Sequence, residues 1–254
     1  MRRLLAALVL VVSVPPTLAW TPQTRIKMVD EAIRLMPESL SLALENHHDD
    51  VRRGAIAPMV NEDDPAHRPP WSDGTLDAEI AARAESLVAE ISEMKSFKTV
   101  AEKLGELAHF IADAEFPPGA SGSDGAERYP HFSTFCESRR EKFPIVFYGH
   151  ENEALASGDY RTFALSILER AKRNDDELAR AYAAAGDPPD PSHFDDRSVP
   201  FAVGSLSYSH AVTDIVRAWL AVWERAGGDI GRTPYLDPNA PRSDPPPPPS
   251  DRRP

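Results

Sequence analysis

The chain has 254 residues, enough for one sizeable hydrophobic core or two small ones. Its only cysteine is Cys136, so no internal disulfide can form and stability must come from packing or from metal. The formal charge of −12 disfavours unaided binding to nucleic acid or to an anionic membrane surface.

The first 19 residues read as a secretory leader. Arg2 and Arg3 supply the charged start, Leu4 to Val14 the apolar run, and Thr17-Leu18-Ala19 a small-residue cleavage site. The run is short for a bilayer span, so cleavage after Ala19 is expected, with Trp20 as the first mature residue. Loss of the two arginines takes the side-chain charge to −14. No later run is long enough to cross a membrane.

From Pro22 to about Glu45, Ile26, Val29, Ile33, Met36, Leu40 and Leu44 recur at helical spacing, and Pro37 should break the stretch into two helices. A Pro- and Asp-rich loop, MVNEDDPAHRPPWSDG, follows over 59–74. The spacing of Ile80, Leu87 and Ile91 predicts a helix from Leu76 to Met94, and another is expected from Phe97 to Ala114. A Gly/Ser-rich loop leads into HFSTFCESRREKFPIVF, helical at its start. Asp159 to Ala185 reads as a long charged helix. The last helix, Val203 to Ala226, is closed by Gly227-Gly228. The remainder, from 233 to 254, is a Pro-rich tail of disordered or polyproline character. No segment alternates as a strand, so the expected fold is an all-α multi-helix bundle over residues 20–232.

Two of these helices carry chemistry on their apolar faces. LGELAHFIADAEFPP holds His109 and Asp113, and SYSHAVTDIVRAW holds His210 and Asp214. Residues four apart share one helix face, about 5–6 Å between Cβ atoms, so each imidazole and carboxylate can meet one metal ion. The bland alternative is a structural pair in which a buried imidazole donates to the acid one turn away. His47-His48-Asp49-Asp50 reads as a solvated helix end, and His193 as a surface residue in a Pro/Asp loop. Trp219, Trp223 and Cys136 read as core.

Taken with the expected Trp20 terminus, these motifs resemble the secreted zinc-dependent phospholipases C and the related single-strand-specific zinc nucleases. The resemblance runs through most of the mature chain as order and motif rather than identity. It implies an all-helical fold whose metal ligands are Trp20, His67, His109, Asp113, His131, His210 and Asp214, with Asp113 as the residue on which catalysis depends. It implies zinc as the cofactor, a phosphoester substrate such as a phospholipid, and export to the periplasm or medium. A monomer is expected, and nucleic acid is a less fitting substrate for so acidic a chain. Two positions depart from the pattern. Arg25 stands where the first helix normally offers a histidine, and guanidinium has no lone pair to give a metal. Met59 stands where a loop normally ends in aspartate, with Asp63 and Asp64 as possible substitutes. The 101 positions from His109 to His210 imply a helical insertion, and His150 with Glu153 is a competing choice for the last ligand pair. Two functional classes follow: a zinc-dependent phosphoester hydrolase, or a catalytically impaired exported binding or scaffold protein that keeps a structural metal.

Overall fold

Thr21 opens the first helix: its Oγ1 accepts from the Thr24 amide, and Pro22 sits in the first turn where its missing N–H costs nothing. The computed structural model describes residues 19–61, 63–122, 129, 131–186, 192 and 194–236, and all regular structure there is helical. The expected leader up to residue 18, His193 and the bulk of the Pro-rich tail lie outside the described residues. No described helix is long and apolar enough to cross a membrane.

Helix α1 spans Pro22–Ile33, and Pro37 caps α2, Glu38–Asn46, as its position predicted. A third helix, α3 (His48–Ile56), was not expected. Helices α4 (Leu76–Ser92) and α5 (Phe97–Ala114) follow the periodicity of their apolar residues. A single turn, α6 (Pro117–Ala120), and α7 (Phe132–Arg139) come next. After a short α8 (Glu153–Ser157), α9 (Tyr160–Ala184) is capped by Asp159, whose carboxylate accepts from the Thr162 amide at 2.9 Å. Helix α10 runs Val199–Arg225, one turn earlier than the apolar pattern begins. Ser198 caps it and Pro200 is tolerated in its first turn.

Helix α5 is the central rod. It packs on α1, α3, α4, α9 and α10, and twelve of its residues are buried. The core runs continuously from Trp20, Met28 and Leu40 through Leu104, Ile111 and Phe116 to Phe163, Ile167, Ile215 and Trp219. Trp219 donates its indole N–H to the Leu104 carbonyl at 3.0 Å. Trp223, one turn on, is only partly buried, with its indole N–H on Asp229 O. Residues 144–149 have no regular structure and run along α10, whose side chains meet their backbone. Ser209 and Thr213 accept from the Val146 and Tyr148 amides, and Arg217 donates to the Tyr148 and Gly149 carbonyls. The start of the expected tail packs back on the domain, since the His150 ring meets the Pro234 carbonyl at 2.7 Å.

The tightest crossing is between α3 and α5, through Gly54 and Gly105. A Cβ on Gly105 would lie 2.1 Å from Val51 O, and one on Gly54 would lie 1.9 Å from Glu102 O. The obstacles are main chain, so they cannot rotate aside. Gly105→Ala is therefore expected to cost about 1–3 kcal/mol of stability, the range for overpacking. Urea denaturation checks this, and a variant as stable as the parent would contradict the close crossing.

Candidate metal centre

The crossing of α3 and α5 sets the orientation of His109. Its Nδ1 lies 2.8 Å from the Ala55 carbonyl, and a carbonyl only accepts, so Nδ1 carries the proton. The remaining nitrogen, Nε2, then presents a lone pair. It is buried, has no hydrogen-bond partner, and lies 3.2 Å from Asp113 Oδ2. Two acceptors facing each other away from bulk solvent leave a gap suited to a cation.

His67 arrives from the loop. Asp64 caps a short 3-10 turn over Pro65–His67 by accepting from the Ala66 amide, and that turn delivers the imidazole to the end of α5. Its Nδ1 is 2.7 Å from Asp113 Oδ2, and its ring stacks on Phe110. Donor atoms of His67, His109 and Asp113 all lie within 4.8 Å of one another. Two imidazoles and one carboxylate match the three-protein-ligand pattern of open zinc sites, and the orphaned Nε2 gives such an ion a buried donor. Among the described residues this is the one such group of three.

The other oxygen of Asp113 belongs to Arg25. The guanidinium, 1% exposed, donates from Nη2 to Asp113 Oδ1, from Nε to Trp20 O at 3.0 Å, and from Nη1 to His109 O at 2.9 Å. Burial alone would push the Asp113 carboxyl up. The Arg25 charge is the main pull against it, and the group lies well below the usual carboxylate range. Burial and the Arg25 charge both push His109 down, so its ring is neutral and able to ligate. Trp20 is fully buried, edge-on to Phe116.

The remaining candidates are not part of that group of three. Asp214 is buried, with Oδ2 on Arg170 and Oδ1 accepting from Arg217 Nη1 at 3.0 Å. Arg170 also holds Glu115 Oε1. Burial and the neighbouring Asp214 push the Glu115 carboxyl up, against the pull of Arg170. His210 stacks on the Tyr148 ring at 4.4 Å, and burial with Arg170 lowers its pKa to about 4. His131 precedes α7 with its ring 4.9 Å from that of Tyr182, its Nε2 buried without a hydrogen-bond partner. Met59 lies in a 3-10 turn over Ala57–Asn61. His47 and His48 are bound to Asp50 and Asp30 at the start of α3. The sequence reading missed Arg170, Arg217 and Glu115. A signal was present for Arg170, which lies three residues after the buried Ile167 and so shares its face of α9.

No family model matches the chain, and no curated protein matches it in sequence. Its fold is that of the clostridial alpha-toxins. The alpha-toxin of an avian strain of Clostridium perfringens is 16% identical at a TM-score of 0.58, covering 85% of this chain and 67% of the toxin. The alpha-toxin of Clostridium absonum is 15% identical at 0.57, covering 89% and 68%. At that identity the likeness establishes the all-α architecture.

The histidines fix a direction for pH dependence. In the unfolded chain imidazoles titrate near pH 6.5, whereas burial lowers His109, His131, His150 and His210 in the folded one. Between the two values the unfolded state binds more protons, so stability falls as pH drops below about 6.5. The urea midpoint of chelator-treated protein is expected to decrease from pH 7 to pH 5, and less steeply in His210→Gln. Parallel pH profiles for the two proteins would refute a role for His210.

Proposed function

We propose that the chain is an exported metal-binding protein that acts on a phosphoester through zinc held by His67, His109 and Asp113. The observation that carries this is the unpartnered, buried Nε2 of His109 beside Asp113 Oδ2, with His67 within reach. The shared alpha-toxin architecture and the resemblance to zinc-dependent phospholipases C support the reaction class.

The protein's own groups divide the work. Arg25 fixes Asp113 through Oδ1, so that Oδ2 faces both His67 and His109, where an ion would bind in place of the direct contacts. Ala55 fixes the His109 tautomer. His67 is the most exposed of the three side chains, at 10%, so substrate would approach from its side. Bound zinc would supply Lewis-acid charge for a phosphoryl oxygen and for the attacking water. The leader-like segment supports export to the periplasm or medium, and a phospholipid headgroup is one substrate of suitable chemistry.

A specific observation favours a second reading, a catalytically impaired relative that binds or scaffolds. Arg25 and Arg170 already neutralise Asp113 and Asp214, the two carboxylates that the resemblance assigns to metals. Metal content and turnover separate the readings. Purified mature protein is expected to carry about one zinc ion per chain, lost in His109→Ala. Zinc-dependent turnover of a phosphodiester or phospholipid, absent in folded His109→Ala, supports the hydrolase. Bound zinc without turnover supports the second reading, and zinc-free protein after loading refutes both.

A further inference from the structure

We infer that the Arg170 guanidinium takes the place of a metal ion at the Asp214 centre, so that this centre is built to work without one. Asp214 has no free oxygen: Arg170 reaches Oδ2 and Arg217 reaches Oδ1. Arg170 bridges the same acid to Glu115, which is also buried. Arg217 is pinned by the Tyr148 and Gly149 carbonyls, so it cannot swing aside to admit an ion. His210, one turn before Asp214, has its ring face on Tyr148.

The charge count points the same way. At most two carboxylate charges face two guanidinium charges. A dication added there would enter a buried cluster with no net negative charge and, unlike the Asp113 group, no set of three donor atoms converging on one point among the described residues. A guanidinium suits the role, because it stays protonated, and here its Nη2 alone donates to both carboxylates. Arg25 repeats the device on a smaller scale, gathering two carbonyls and a carboxylate around one cation. The cluster joins the end of α5 to α9 and α10 through the acid that the resemblance assigns to an ion.

That a metal remains at His67, His109 and Asp113 belongs to the proposed function, and the test separates the two claims by reading changes on substitution. Zinc per chain is measured after loading and desalting. Arg170→Met frees Asp214 Oδ2 and Glu115 Oε1 and is expected to gain about one zinc ion over the parent, with a melting temperature that chelator now lowers. A folded Arg170→Met protein with the parent's zinc content would overturn the inference. Should that variant fail to fold, Asp214→Asn and Glu115→Gln decide: both are expected to keep the parent's zinc content, and the loss of an ion in either would overturn it. A parent without zinc would refute the metal at Asp113 and leave these differences to be read.

Discussion

A carboxylate removed from water requires a cation, and Arg25 supplies one to Asp113 from inside the core. The rest of the site depends on that pairing. It ties the start of α1 to the last turn of α5, and its Nε and Nη1 occupy the carbonyls of Trp20 and His109. Breaking such a pair by removing one partner costs about 3–5 kcal/mol, because the other charge is left buried and alone. Against a typical total of about 5–15 kcal/mol, this one contact decides whether the region stays folded. It also limits the chemistry, since only one oxygen of Asp113 remains for anything else.

Helix α5 serves two centres because of its geometry. Asp113 and Glu115 are two residues apart at its end, and residues so spaced do not share a face. One acid turns toward α1 and Arg25, the other toward α9 and Arg170. His109, one turn earlier, shares the face of Asp113. The single segment LGELAHFIADAE thus sends its two carboxylates to different neighbours, Asp113 to Arg25 and Glu115 to Arg170.

Much of this was legible in the sequence. The apolar spacing marked α4 and α5, Pro37 marked the break between α1 and α2, and the His-x-x-x-Asp motif with His67 marked the group that converges. Helix α3 was not legible, because HDDVRRGAI is polar and its glycine reads as a breaker. Its stability comes from a close crossing with α5 that no local pattern encodes. The start of α10 was missed because its first turn is set by a Ser198 cap and a tolerated proline rather than by apolar spacing. Arg25 was legible only as a residue unable to ligate metal. Its use as a buried cation depends on Trp20, His109 and Asp113 meeting in space, and sequence separation hides that. The same holds for Arg170, whose partners lie 55 and 44 positions away.

The Gly54–Gly105 crossing has a further consequence. Each missing Cβ makes room for main chain, so trimming a side chain elsewhere cannot compensate for adding one here. Only a wider spacing of the two helix axes could. That movement would draw the Ala55 carbonyl away from His109 Nδ1, a contact of 2.8 Å, and free the imidazole to exchange its tautomer. Interhelical distance and the choice of ring nitrogen that offers its lone pair to Asp113 are therefore coupled. A perturbation anywhere along α3 that pries it from α5 would register at the imidazole as a change in which nitrogen holds the proton.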